Sequence, residues 1–267
     1  MAMGRHGLRA LSLALSLSAS LAGCGGLLGG KAAIRQHRLF IIEAEPLSLN
    51  LPDSERPYPF KVEIGAFEVK RLYDNEKIVF RLSPQEIKTD RYHRWAVRPG
   101  NMITDAVEQY LSDAHLFADI RQEFLDTTPD FTLTGTVEAI ERFDSGNLWY
   151  ASLVISMQLV DKRNEIFWGP REFTAGKKQV YIEDFSHTVV TLRQLLRGYM
   201  AEAIRELDIR FLTRKLQDEG LPFAHLLDKP NGAQNGSGDS VPALVDTASS
   251  TREPHPGYEI IPGKAAP

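Results

Sequence analysis

Two long alternating runs, Phe131 to Phe143 and Trp149 to Val160, constrain this chain more than any other feature. In the first, Phe131, Leu133, Gly135, Val137 and Ala139 alternate with Thr and Glu, the period of a strand with one face in a core and one in water. Asp144-Ser145-Gly146-Asn147 between the runs is a turn by composition, so the two runs are expected to pair as an antiparallel hairpin. An apolar face of that length has to be covered by another layer.

The rest of the chain supplies further strands and the cover. Leu39 to Ile42 is a short run of β-formers, and Pro46, Pro52 and Pro57 then break the chain. Phe60, Val62 and Ile64 alternate with Lys61 and Glu63, and Ile78-Val79-Phe80 after the turn at Asp74-Asn75-Glu76 is expected to be their hairpin partner. A third strand runs from Ile87 to Val97 and stops at Pro99-Gly100. Ile103, Val107, Tyr110, Leu111 and Ala114 then fall three and four apart, the stripe of a core-facing helix capped by Asn101 or Thr104. Asp119 to Phe124 reads as a strand, and Ile166 to Phe173 as another with a break or bulge at Gly169-Pro170. From Asp184 to Gln217 the stripe Val189, Leu192, Leu196, Tyr199, Ala203, Leu207 and Phe211 predicts a long helix. Its arginines Arg193, Arg197, Arg205 and Arg210 lie off the stripe on a solvated face, with Glu206 and Arg210 spaced for a pair. The expected fold is α+β: an antiparallel or mixed sheet with two helices packed on one face.

Outside that domain the ends differ in kind. Arg5 and Arg9 precede an apolar segment, Ala10 to Leu21, too short to span a bilayer, and Leu21-Ala22-Gly23-Cys24 follows with the chain's one cysteine. This resembles a bacterial lipobox. Residues 1–23 are then a lipoprotein signal peptide, Cys24 is the lipidation site with palmitate among its chains, and residues 24–34 are a flexible tether. Residues 35–227 form the domain, and 228–267, rich in Gly, Ser and Pro without periodicity, are a disordered polar tail. Several acyl chains make release from a bilayer negligible. Gly25 and Gly26 after the cysteine, in place of an acidic residue, resemble an outer-membrane sorting signal, which puts the domain in the periplasm.

Composition excludes several function classes. The signal carries two of the 31 Lys and Arg residues and none of the 35 acidic ones, so the mature chain is acidic and unsuited to nucleic acid. With Cys24 acylated no thiol remains for a disulfide. No metal-ligand spacing, P-loop, G-x-S-x-G or G-x-G-x-x-G is present, so neither a metal nor a cofactor is expected. His93, His115 and His187 lack a nucleophile in an activating context, and Glu138 and Glu141 read as strand-exposed acids. The chain is expected not to be an enzyme. Leu148, Trp149 and Tyr150 beside the hairpin turn form a candidate partner interface, since exposed aromatics are enriched in interface cores.

A second unusual stretch is Arg91 to Gly100, Arg-Tyr-His-Arg-Trp-Ala-Val-Arg-Pro-Gly, in which Trp95 reads as a buried anchor at a strand end. With Phe67, Ile78-Val79-Phe80-Arg81, Tyr92, Arg94-Trp95-Ala96, Pro99 and Leu116-Phe117, and with Arg38 to Ile42 behind the lipobox, the chain resembles the ABC-type transport auxiliary lipoproteins. These belong to paraquat-inducible and related MCE systems. The resemblance spans residues 37 to 211. It implies that Arg81, Tyr92, Arg94, Trp95 and Pro99 are motif residues of structural role. It also implies an auxiliary lipoprotein of an ABC/MCE-type intermembrane lipid transporter, docking an MCE-domain protein at the outer membrane, and a homo-oligomeric ring. The readings set against it are an envelope-assembly lipoprotein serving an outer-membrane β-barrel and a periplasmic hydrolase.

Overall fold

The computed structural model describes residues 37–52 and 55–227; the signal, Cys24 with the whole tether of residues 24–34, and the polar tail lie outside the described residues. In chain order the strands and helices are β1 (Arg38–Phe40), β2 (Tyr58–Ile64), β3 (Glu68–Val69), β4 (Lys77–Arg81), β5 (Ile87–Trp95), α1 (Pro99–Asp113), β6 (Phe117–Arg121), β7 (Phe131–Ser145), β8 (Leu148–Asp161), β9 (Ile166–Thr174), β10 (Lys178–Val180), α2 (Phe185–Asp218) and the short α3 (Ala224–Leu227). The fold is α+β, a mixed open sheet with two long helices.

The β7–β8 hairpin forms as the alternation requires, paired antiparallel from Phe131↔Asp161 to Ser145↔Leu148. Its connection is Gly146-Asn147, with a positive φ of 60° at Gly146. A two-residue loop with Gly in that conformation at its first position matches the twist of the strands it joins. On β8 the residues Ala151, Leu153, Ile155, Met157 and Leu159 are buried in one row, facing Leu133, Val137 and Ile140 of β7. A register shift between Val137 and Ala139 inserts Glu138 as a bulge. The strict alternation read from sequence therefore ends there: Ile140 takes the core-facing place that Ala139 was expected to hold.

The strands flanking the hairpin correct one expectation. β4 is not the hairpin partner of β2: β8 holds one edge of β7 along its whole length, and β2, β3 and β4 line up in succession along the other. All three run parallel to β7, at Phe131–Leu133, Thr136–Val137 and Glu141–Phe143 respectively. The turn around Asp74 exists, but it makes a side loop and not a reversal, because buried Tyr73 draws the loop back onto the sheet. Beyond β2 lies β6, parallel; beyond β4 lie β5, antiparallel, and then β1, parallel to β5. On the far edge of β8, β9 and β10 divide the strand in the same way. The sheet thus forks at both edges of a central hairpin.

α1 begins at Pro99, whose fixed φ and missing N–H suit a first helical position, and Arg98 is the N-cap without a side-chain cap bond. Asn101 and Thr104 were expected to cap; both lie inside the helix. Buried Thr104 donates to Gly100 O at 2.8 Å and accepts from the Phe67 backbone N–H at 2.9 Å, tying α1 to the β2–β3 connection. β6 starts two residues before the expected strand and stops at Arg121. α2 starts where the sequence places it, with the Asp184 carboxylate accepting from Ser186 N–H. Every residue of its expected stripe is buried, and one continuous core joins both helices to the apolar face of the hairpin. The expected Glu206–Arg210 pair does not form: Glu206 accepts from the Trp168 indole and pairs with Arg171, while Arg210 donates to Phe167 O.

Strand directions give the domain two distinct ends. β7 runs toward the Gly146 turn, β5 and β1 run away from it, so the chain enters from the turn end. α2 also starts there, Phe185 packing on Phe40 at 5.0 Å and Phe80 at 5.5 Å. Roughly 50 Å later by helical rise, it finishes at the opposite end, where Phe211 meets Phe131 at 5.1 Å.

Candidate functional site

The opposite end carries a cleft of about 780 Å³ floored by aromatic rings. Phe211, on the last stretch of the α2 stripe, is the hub: its ring centroid lies 4.5 Å from Phe167, 5.1 Å from Phe131 and 5.4 Å from both Phe60 and Tyr58. β2, β7, β9 and α2 each bring one or two of these rings, which meet in edge-to-face, tilted and stacked contacts. Phe60, Phe131 and Phe167 are half-buried and present part of their surface to the opening. The rim is charged: Lys215 lies 2.9 Å from Glu55 and Arg214 3.5 Å from Asp218, and Asp161 and Glu219 add two further acids.

Beneath the rim, Asp208 of α2 has no exposed surface. Its carboxylate accepts from the Tyr58 hydroxyl at 3.0 Å and from Arg56 at 3.1 Å, and Arg56 also donates to Pro52 O. Burial pushes the Asp208 carboxyl up, against the pull of Tyr58 and Arg56. This network fastens Pro52, Arg56 and Tyr58 to α2 and so shapes the cleft wall. Among the described residues no Ser, Thr, Cys or His lines the cleft. The arrangement suits recognition of an apolar segment, with charges at the rim to orient it.

Sequence reading missed this site because its parts come from five separate segments between Glu55 and Glu219. The one local hint was Pro57-Tyr58-Pro59-Phe60, a run of rigid and aromatic residues.

The residues singled out in sequence are spread elsewhere. Leu148 is exposed at the turn end; Trp149 and Tyr150 lead back into the sheet, paired with Val180 and Gln179 of β10. The Arg142 guanidinium lies 5.5 Å from the Trp149 ring, and Tyr150 lies 6.2 Å from Phe143. Arg81 sits on the face of the sheet turned away from the helices, its Nε 2.7 Å from Glu141 Oε1. Tyr73 donates to the other oxygen of Glu141 at 2.6 Å, and Arg81 Nη2 reaches the Tyr73 hydroxyl at 3.2 Å. Burial, then the bond to Glu141, pushes the Tyr73 hydroxyl up to about 12, and the same carboxylate raises Arg81 further. Trp95 is buried against Phe185, and its backbone N–H donates to Glu76 O at 2.8 Å. Tyr92 and Arg94 lie on β5, Arg94 opposite Leu39 and Lys77. Pro99 opens α1. These motif residues brace β1, β4, β5 and α1 at separate points and do not converge on one site.

Of the histidines, His93 Nδ1 lies 3.0 Å from Asp90, in a depression that no Ser or Cys lines among the described residues; His115 and His187 are exposed. Glu138 pairs with Lys70 and Glu141 with Arg81. Among the described residues no three His, Cys, Asp or Glu side chains are placed to hold a metal, and no helix is long and apolar enough to cross a membrane.

Comparison with solved structures places the fold. Protein XCC0632 from Xanthomonas campestris, of family DUF330, superposes with a TM-score of 0.56 at 16% identity, covering 67% of this chain and 99% of that one. An uncharacterized protein gives 0.49 at 13% identity over 64% and 99% of the two chains. The PelC dodecamer from Paraburkholderia phytofirmans gives 0.35 at 13% identity over 57% and 93%, too remote for its assembly to bear on this chain. No curated protein matches the sequence. The ABC-type transport auxiliary lipoprotein components match residues 44–201, which takes in every element from β2 to the middle of α2. With more than half its length matched, and with the motif residues bracing the strands on which the resemblance was read, the chain belongs to the ABC-type transport auxiliary lipoprotein component family.

Proposed function

We propose that this chain is a non-catalytic, lipid-anchored auxiliary subunit of an ABC/MCE-type intermembrane lipid transporter, held at the outer membrane and facing the periplasm, and that its aromatic cleft receives an apolar segment of the MCE-domain partner. The observation that carries this reading is the polarity of the domain: the chain enters at the turn end, and the aromatic cleft opens at the other. A subunit tethered by its N-terminus to one membrane meets a component arriving from the other membrane with its far end. An aromatic floor inside a polar, charged rim is the composition of an interface hot spot. The role is positional, so it needs no reacting group in the cleft.

The test is photo-crosslinking in cells from Arg214, whose side chain is 63% exposed at the rim, followed by purification of an MCE-domain protein encoded beside this chain. Capture of that protein is expected, and Phe167→Glu should abolish it while the domain remains folded by circular dichroism. Absence of any such complex, with no ABC or MCE component among the neighbouring genes, would overturn the assignment.

A further inference from the structure

The turn end has its own apolar surface. Tyr181 is 82% exposed, Ile182 50% and Leu148 47%. Val180 pairs with Trp149 at the last position of β10, so Tyr181 and Ile182 leave that strand at the end of the sheet where Leu148 begins β8. A tyrosine, an isoleucine and a leucine displayed together on a loop and a turn, with half-buried Trp149 next to them, form an amphipathic aromatic edge of the kind that settles at a membrane–water interface.

Three further observations choose the occupant. First, β1 runs away from this end, so the chain arriving from its N-terminal side reaches the domain here. The link is fastened at that point, Arg38 lying 3.0 Å from Asp184, two residues after Ile182. Cys24, the lipidation site that the family and the lipobox imply, is within a fully extended reach of roughly 45 Å of His37. Second, the local carboxylates are mostly neutralised: Asp144 by Arg142 at 2.6 Å and by Lys88 at 3.6 Å, and Asp184 by Arg38. Glu183 is the one acid of this loop without an ion-pair partner among the described residues. Third, Lys177 and Lys178 stand just before the patch with no carboxylate partner among the described residues, Lys177 over the Phe143 ring. Cations beside exposed apolar groups complement an anionic lipid surface.

We propose that Leu148, Tyr181 and Ile182 form a membrane-contact patch that seats the domain on the same lipid surface that holds its anchor. The anchor keeps the domain near the bilayer; the patch fixes which end faces it, and thereby points the aromatic cleft away. The inference rests on the lipid anchor and not on the identity of the transport partner, so it stands or falls separately from the MCE assignment.

The sequence makes a clean test possible, since Cys24 is its one cysteine and is consumed by lipidation. The full lipidated chain carrying Tyr181→Cys or Ile182→Cys is labelled with an environment-sensitive fluorophore and reconstituted in phosphatidylethanolamine–phosphatidylglycerol vesicles with brominated acyl chains. Leu125→Cys, 84% exposed in the loop before β7 at the opposite end, is the control. Quenching by the brominated chains is expected at positions 181 and 182 and not at 125, and Lys177→Glu with Lys178→Glu should reduce it at both. Equal, background quenching at all three positions would overturn the proposal. So would a blue-shifted label at 181 that brominated lipid leaves untouched, which would mean that protein covers the patch. Circular dichroism of each variant separates these outcomes from misfolding, to which exposed positions contribute little.

Discussion

Glu141 is 6% exposed in the middle of a strand, and a carboxylate so placed is tolerable only if both its oxygens are satisfied and its charge is matched. Tyr73 and Arg81 do both. Arg81→Ala leaves that charge uncompensated and should cost about 3–5 kcal/mol. Arg81→Ala combined with Glu141→Gln should recover a large part of that loss, and urea denaturation of the two single variants and the double closes the cycle. A double variant that loses the sum of the two single costs would mean that Arg81 and Glu141 are not coupled. Tyr73→Phe should lose about 1.5–3 kcal/mol, the worth of a hydrogen bond to a charged group. It should also change the alkaline limb. The unfolded tyrosine titrates near 10 and the folded one at about 12, so this contribution is complete below pH 10 and is lost as pH rises through 12. Two units correspond to about 3 kcal/mol. Denaturation midpoints between pH 9 and 11.5 should therefore fall less steeply for Tyr73→Phe than for the wild type; parallel curves would refute the assignment.

At the scale of elements, two glycines in regular structure should respond oppositely to the same substitution. A Cβ at Gly135 of β7 would collide with the buried Phe67 ring and lie 2.7 Å from Ser156 O on the paired strand. Gly135→Ala should cost about 1–3 kcal/mol, because a backbone carbonyl held in a ladder cannot move aside. At Gly198 of α2 nothing lies within 4 Å of the added methyl, so Gly198→Ala should stabilise by about 0.5–1 kcal/mol through helix propensity alone. Thermal melts of the pair check both signs. The same contrast explains what sequence could reveal. α2 was legible from Asp184 to Gln217 because its cap and its stripe are local, and β7–β8 because a short turn fixes the register. The parallel placement of β2, β3 and β4 along β7 was not, since nothing local to Ile64 or Ile78 records that Phe131 to Phe143 will lie between the chain's earlier strands and β8. Glu138 was invisible as a bulge for the same reason: a strand's phase changes only relative to its partner. The aromatic cleft was hidden further still, as Phe60, Phe131, Phe167 and Phe211 each read as an ordinary core residue of its own element.

For the molecule as a whole, the two ends make a joint demand on the linker between Cys24 and β1. If the turn end rests on the lipid, the domain does not use the tether's full reach, and the glycine-rich segment serves processing and entry more than clearance. Deleting Leu28 to Ala32 removes roughly 17 Å of extended chain while leaving Gly25 and Gly26 behind the lipobox. Partner crosslinking from Arg214 should then persist at the wild-type level in membrane fractions. If the domain instead stood off at the end of a taut tether, shortening it would draw the cleft back from a partner of fixed height, and the crosslink would fall. Lengthening the tether by the same number of residues separates the cases again: a seated domain is indifferent to it, because the patch and not the linker sets the height of the cleft above the bilayer.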